Sequence, residues 1–444
     1  LQRSGIQHPA RLIPLAFLAV IIVGTLLLML PAASADGSSA PLLTALFTAT
    51  SAVCVTGLII VDTPVYWSGM GQVIILALFQ MGGFGIMTGA TLLGLLVTDR
   101  LRLGFRMLAQ AETRSLGLGD VVGVLKLVLL VTVAVELLVA AMLALRLHFG
   151  YGEEWGQALW NGLFLSVSAF NNAGFSTYSD SLMSFATDAA VLVPIMAAIT
   201  LGGLGFPVLY ELRRRRGNWR GWSVHTKITL LGSAILVVGG TLAILFYEYA
   251  NAATLAPFDM GGRLLGAVFH SVSARTAGFN TVDVGAMQPQ TLAVHYVLMF
   301  IGGGSAGTAG GIKVTTFFLL GFVVWAEVRG SGDTVAFRRR ISSETQRQAL
   351  TIVLLGVSVL AVATLALLSV SDLPLQELMF EAISAFATVG LSTGITAKLP
   401  PSGQLILIVL MFVGRVGTIT VATALALRSR HSLFRYPEER PIVG

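Results

Sequence analysis

The sequence predicts an all-α polytopic membrane protein in which one unit, helix, re-entrant pore loop and helix, occurs four times in tandem. Three observations predict it. Of 444 residues, 55% are hydrophobic and only 11% charged, with a mean hydropathy of +0.83, well outside the soluble globular range. Apolar segments long enough to cross about 30 Å of hydrocarbon recur near residues 12–30, 71–97, 121–147, 187–210, 226–248, 291–326, 348–370 and 404–427. Between the members of each successive pair lies a shorter amphipathic stretch that ends in a similar glycine-containing tail.

The first segment, "LIPLAFLAVIIVGTLLLML", is longer than a signal-peptide core, although the following "PAASADGS" imitates a cleavage site. It is read as a helix because the first repeat needs it. The short stretches are "PLLTALFTATSAV", "WGQALWNGLFLSVSAF", "GRLLGAVFHSVSA" and "PLQELMFEAISAF", of 13 to 16 residues, too short to span and suited to re-entrant helices. Their tails, "SAVCVTGLI", "SAFNNAGFST", "SARTAGFNT" and "SAFATVGLST", superpose Gly57, Gly174, Gly278 and Gly390. The inner helices also share central glycines, in "MGGFG", "LGGLG", "IGGGSAG" and "VGRVG". The repeats therefore cover residues 1–97, 121–212, 225–327 and 347–428, with a C-terminal tail at 429–444.

The formal charge of +6 and the pI near 9.7 do not indicate nucleic acid, because the basic residues concentrate in short connections. Residues 98–126, 211–227, 325–348, those after 427 and those before 12 hold 22 of the 28 Lys and Arg. If each short stretch were a third full span, these connections would alternate between sides. Two spans and a re-entrant loop per repeat put them all on the cytoplasmic side, with both termini inside. Cys54 is the only cysteine, so no disulfide forms within the chain.

Non-helical backbone at membrane depth is tolerated where it is buried in protein or lines a water-filled path. Four such tails meeting on one axis would surround a pore, and glycine would let their carbonyls turn inward to replace the hydration shell of a monovalent cation. The predicted filter is Val55, Thr56, Gly57; Asn172, Ala173, Gly174; Thr276, Ala277, Gly278; and Thr388, Val389, Gly390. No Asp or Glu lies between the first serine and the glycine of any tail, which argues against a calcium site. The competing reading is that these glycines serve close helix packing. His225, His270 and His295 show no metal-ligand spacing, and no Ser-His-Asp or paired-carboxylate arrangement suggests an enzyme.

In the third repeat the inner helix is interrupted by "GGGSAGTAGGIK". Six glycines between Gly302 and Gly311, at about 1 kcal/mol each, should break the helix. The predicted gate is this loop, Gly302, Gly303, Gly304, Ser305, Ala306, Gly307, Thr308, Ala309, Gly310 and Gly311, with Lys313 at its end either anchoring it or reaching toward the cytoplasm. A static packing kink is the alternative. A nucleotide-binding loop is excluded because Ile312 separates Gly311 from Lys313 and apolar spans flank the motif. Arg415, in "LILIVLMFVGRVGTITV", needs a partner at membrane depth, either the exposed carbonyls of the loop or an acidic side chain. Arg275, three residues before Gly278, is expected to point behind the filter and bond nearby carbonyls as scaffold. Glu381, Asp62 and Asp283 lie near the outer ends of the tails, as cation attractors or ordinary loop charges.

Together "TSAVCVTGL", "VSAFNNAGFST", "SVSARTAGFNT", "ISAFATVGLST" and "GGGSAGTAGGIK" resemble the Trk/Ktr/HKT superfamily of potassium transporters, over nearly the whole chain. The absence of a helix pair before the first repeat and "SVHTKITLL" at the start of the third look more like the bacterial Ktr membrane subunit than Trk. The resemblance implies K⁺ passage through one pore per subunit, with Na⁺ stimulation to be tested. It also implies a homodimer in a bacterial-type cell membrane, a mobile gating loop, and a separate ring-forming, nucleotide-binding regulatory subunit docked on the cytoplasmic face. Membrane lipid is the other expected partner, and no nucleotide is expected on this chain. In plant relatives a serine at the first filter glycine accompanies sodium preference, so Gly57 favours potassium. A sodium-preferring or weakly selective channel of the same architecture, and a non-transporting scaffold or membrane enzyme, remain as alternatives.

Overall fold

A computed structural model describes residues 9–85, 121–215 and 217–417. The end of the 71–97 segment, the basic connection after it, the end of the 404–427 segment, both chain termini and the 429–444 tail lie outside the described residues.

Of the four units expected from the sequence, the first contains α1 (Pro9–Leu28), α2 (Leu42–Val53) and α3 (Gly69–Phe84). The second contains α4 (Val121–Tyr151), α5 (Trp155–Asn171), α6 (Ala189–Leu204) and α7 (Phe206–Arg215). The third contains α8 (Val224–Glu248), α9 (Met260–Ser273), α10 (Pro289–Phe300) and α11 (Val314–Val328), and the fourth α12 (Ser343–Val370), α13 (Leu375–Ala387) and α14 (Pro401–Phe412). Among the described residues, three helices are long and apolar enough to cross a membrane: Val128–Tyr151, Val224–Glu248 and Ser343–Val370. Their outward sides are apolar, with Phe246 78% and Leu138 63% exposed, as expected of faces solvated by lipid rather than water.

Helix starts follow local chemistry. Side chains of Ser68, Asp188, Ser223, Asp259 and Ser342 accept from backbone N–H groups in the first turns of α3, α6, α8, α9 and α12. Proline opens α10 and α14, where its missing N–H costs nothing. The short helices α2, α5 and α13 pack between their flanking helices, α9 packs against α8 and α6, and all four are buried toward their C-terminal ends.

One expected element differs. Residues 187–210 do not form a straight crossing: α6 ends at Leu204 and α7 leaves at 95°. The cause is tertiary. Gly205 sits at φ +93°, a Cβ there would overlap the Ser305 carbonyl oxygen, and Phe206 N–H donates to Ala306 O at 3.1 Å. The interrupted segment of the third repeat occupies the course a continuing α6 would take.

On one end of the molecule the connection after α7 meets the connection after α11. The hairpin of β1 (Val335–Ala336) and β2 (Arg339–Arg340) turns at Phe337 and Arg338, and Phe337 meets Trp219 edge-on at 6.4 Å between ring centroids. Lys227 lies over both rings at 5.7 and 5.8 Å. The arginine-rich connections of two successive repeats thus lie together on one side.

Candidate functional site: four convergent tails and the segment beneath them

Each tail leaves its short helix through the same bond. The residue before the tail glycine donates its N–H to the carbonyl of the tail's first serine: Thr56 to Ser51 at 2.7 Å, Ala173 to Ser168 at 2.8 Å, Ala277 to Ser273 at 2.8 Å and Val389 to Ser384 at 2.9 Å. The hydroxyls then divide the tails into two kinds. Ser51 and Ser384 accept from Gly57 and Gly390 N–H at 3.1 Å, whereas Ser168 and Ser273 donate to Phe175 O at 2.8 Å and Phe279 O at 2.5 Å. The third tail is one residue shorter between serine and glycine.

Backbone handedness alternates along every tail. Positive φ falls on Val55 and Gly57, Asn172 and Gly174, Thr276 and Gly278, and Thr388 and Gly390, with the intervening residue in ordinary territory. A chain that alternates handedness in this way turns successive peptide groups to the same side. Left-handed φ on Val55 and Thr276, both β-branched, costs on the order of 1–3 kcal/mol each and persists only where packing over-determines it.

The tails close a ring. A Cβ on Gly57 would overlap the Ala173 carbonyl oxygen, and one on Gly174 would lie 2.9 Å from that of Ala277. Likewise a Cβ on Gly278 would overlap Val389 O, and one on Gly390 would overlap Thr56 O. Each glycine therefore touches the next tail in the order first, second, third, fourth, first. All the predicted filter residues except the glycines and Ala173, Ala277, Val55 and Val389 carry polar side chains, and Thr56, Thr276 and Thr388 are fully buried.

A second layer of glycines lies behind the ring. A Cβ on Gly82 would overlap Val53 O, one on Gly202 would overlap Phe170 O, and one on Gly414 would overlap Phe386 O. Each acceptor is the residue four before its tail glycine. In the third repeat the corresponding Gly302 instead abuts Gly310 O, because the chain there folds into the irregular segment rather than continuing as helix.

That segment, residues 301–313, is pinned at both ends and in the middle. Ile301 and Ile312 bridge in parallel, with Gly302 N–H to Ile312 O at 2.9 Å and Ile312 N–H to Phe300 O at 3.1 Å. Gly304 N–H donates to Gly203 O at 2.7 Å and Thr308 N–H to Gly202 O at 3.1 Å. Thr308 Oγ1 accepts from Asn172 Nδ2 at 2.7 Å and donates to Phe170 O at 3.0 Å. A Cβ on Gly310 would lie 2.5 Å from Ala387 O and overlap Thr388 Oγ1. The segment therefore touches the second and fourth tails directly under the ring. Lys313 Nζ turns back onto it, donating to Ala309 O at 2.6 Å and Gly310 O at 3.3 Å.

Arg415 completes the belt. It stands in a π-helical turn, Val413–Gly417, and is 7% exposed. Nη1 donates to Thr308 O at 2.5 Å and Nη2 to Gly82 O at 2.7 Å, tying the segment to the first repeat's inner helix. Arg275 is buried, and its Nε finds no acceptor among the described residues. Glu381 is a clamp on the fourth tail rather than a free outer charge, accepting from Ser392 Oγ, Thr393 N–H and Thr396 Oγ1 at 2.5, 3.1 and 2.8 Å. Asp283 caps a short turn by accepting from Gly285 N–H.

Sequence reasoning missed two features. Glu136, inside α4, reaches Gln80 of α3 and Asn171 at the end of α5. His270 Nε2 accepts from Thr281 N–H at 3.3 Å, three residues beyond Gly278. A charge in an apolar span was a signal for the first; a lone histidine on a short helix offered none for the second.

Buried, handed backbone in a ring enclosed by apolar helices is the geometry of a membrane transport protein. The comparisons with known proteins agree and give the family: residues 5–436 match the TrkH model, described as a cation transport protein, and the chain belongs to that family. It is 38% identical to the Ktr system potassium uptake protein B of Bacillus subtilis, over 98% of this chain and 97% of that one, and 38% identical to the protein of the same description from Vibrio alginolyticus, over 98% and 94%. The potassium/sodium uptake protein NtpJ of Enterococcus hirae is 35% identical over 98% and 97%. Among solved structures the potassium transporter TrkH from Vibrio parahaemolyticus superposes with a TM-score of 0.73 at 17% identity, over 96% of this chain and 85% of that one, which speaks for the fold.

Proposed function

We propose that this chain is the membrane pore subunit of a potassium uptake system. K⁺ passes through the ring of carbonyls formed by Val55–Gly57, Asn172–Gly174, Thr276–Gly278 and Thr388–Gly390. The observation that carries the reading is the cyclic contact of the four tail glycines, each against the carbonyl of the next tail. Alternating handedness supports it, because carbonyls turned to one side can replace the water around a weakly hydrated cation. The names of the relatives, potassium uptake proteins, support the choice of ion.

The segment 302–312 is the gate. It crosses beneath the ring, is rich in glycine, and is held by hydrogen bonds from Arg415, Lys313 and Asn172 rather than by helical continuity. The exposed arginines Arg213, Arg214, Arg215, Arg338, Arg339 and Arg340 mark the cytoplasmic side, where a nucleotide-binding regulatory subunit docks on a homodimer of this chain. Regulatory subunit and dimer rest on the family resemblance, and the word "system" in the relatives' names supports the former. Na⁺ stimulation rests on the name of the Enterococcus hirae relative alone.

The test is K⁺ uptake by purified protein in liposomes, wild type against Gly278→Ser, with Na⁺ and an impermeant cation in parallel. Saturable wild-type uptake of K⁺ over Na⁺, with that preference lost in the variant, supports the filter. Folded wild-type protein that moves no cation, with or without a regulatory partner, rejects it.

A further inference from the structure

Glu136 lies inside the apolar span Val128–Tyr151, is 6% exposed, and has only neutral partners. Its Oε2 accepts from Gln80 Nε2 and its Oε1 from Asn171 Nδ2, both at the long distance of 3.2 Å. Asn171 Nδ2 faces three acceptors, Gln80 Oε1 at 2.5 Å, Val167 O at 2.8 Å and Glu136 Oε1, but carries two hydrogens. Asn171 Oδ1 meanwhile finds no donor, and one turn before Glu136 the fully buried Thr132 Oγ1 finds no partner among the described residues. The cluster is short of hydrogens around a buried carboxylate, and a carboxylate in such surroundings is expensive unless something positive joins it.

Among the described residues no other charge supplies it. The described residues of α3, α5 and α6, which surround Glu136, contain no ionisable side chain. On α4 itself Lys126 and Arg146 each stand ten residues away, about 15 Å along the axis, and Arg146 is bound to Asp188. At the far end α7 brings Tyr210, Glu211 and Arg213–Arg215 against α4; Glu211 is held by Ser223 and Thr226, and the three arginines are exposed.

We propose that Glu136 is a proton-binding site distinct from the K⁺ path, whose occupancy sets the charge behind the second tail. A proton from solvent adds to Oε1, converts the carboxylate to the neutral acid and frees Asn171 Nδ2 to satisfy its two remaining acceptors. Asn171 is three residues before Gly174 and adjoins Asn172, so the charge is carried at the root of that tail. With Glu136 ionised the path attracts a cation more strongly; with it protonated the attraction falls. The coupling to K⁺ rests on the reading of the tails as an ion path, whereas the protonation does not.

Two measurements test this on the full chain in lipid. Acid-minus-alkaline infrared difference spectra of the wild type should show a carboxylic C=O band that Glu136→Gln lacks and Glu136→Asp displaces, and added K⁺ should move its titration toward acid, by reciprocity. The KM for K⁺ should rise on the order of tenfold from alkaline to acid pH in the wild type and stay flat in Glu136→Gln. An identical band in Glu136→Gln overturns the assignment. So does a wild-type carboxylate that never protonates but responds to Na⁺, which would make the site a sodium site. K⁺ uptake absent from the wild type would instead reject the ion-path reading, leaving the infrared band to decide the proton site.

Discussion

At the scale of single residues, Arg415 joins the most distant parts of the chain. Two of its partners, the carbonyls Thr308 O and Gly82 O, lie 107 and 333 positions away. Hydrogen bonds from a charged donor are worth roughly 1.5–3 kcal/mol each, so losing both removes enough to shift a closed segment toward open. Arg415→Ala should therefore raise basal K⁺ flux in liposomes by on the order of tenfold or more, without the regulatory partner. Arg415→Lys, which cannot reach two carbonyls as a planar fork does, should fall between. Unchanged flux in a folded Arg415→Ala protein would show that the segment is not held by this side chain. Lys313 works over a shorter reach, donating to Ala309 O and Gly310 O within four residues.

At the scale of elements, the glycines behind the ring set how closely the inner helices approach the short helices. Gly202 and Gly414 each leave room for one carbonyl oxygen and no more. Gly202→Val and Gly414→Val would drive a branched side chain into Phe170 O and Phe386 O, each costing about 1–3 kcal/mol by overpacking and displacing the tail above. Both variants should lower the thermal midpoint and reduce K⁺ over Na⁺ preference together, whereas Gly321→Val on α11, where a Cβ meets nothing, should do neither. A Gly202→Val protein of wild-type stability and selectivity would contradict the role given to this seam.

At the scale of the whole molecule, four tails from distant parts of the chain share one ring, so a cation bound there would join all of them. Binding to the folded state alone stabilises by about 2.7 kcal/mol at 100 times the dissociation constant. Saturating K⁺ should accordingly raise the thermal midpoint of detergent-solubilised protein by a few degrees over an equal concentration of Na⁺. Gly278→Ser should abolish that difference; equal midpoints in the two salts for the wild type would argue against a preferred K⁺ site.

Much of this was legible in the sequence, and particular residues show where legibility stopped. Membrane character followed from composition, and the three spans Val128–Tyr151, Val224–Glu248 and Ser343–Val370 from lengths of apolar sequence. The tails stood out because left-handed backbone recurs on glycine, and Gly57, Gly174, Gly278 and Gly390 each follow closely on the end of a short amphipathic helix. Gly205 was not legible as a break, because "LGGLG" reads the same whether glycine packs a straight helix or ends one; the Ala306 carbonyl arriving from the third repeat decides it. Glu136 was visible as a charge, but Gln80 and Asn171 lie 56 and 35 positions from it. The sequence by itself determined the membrane environment and the family, since hydropathy and backbone preference are local properties of the chain. Tertiary structure alone decided which carbonyl each buried donor meets, because at membrane depth no water supplies a partner and only the approach of remote segments can.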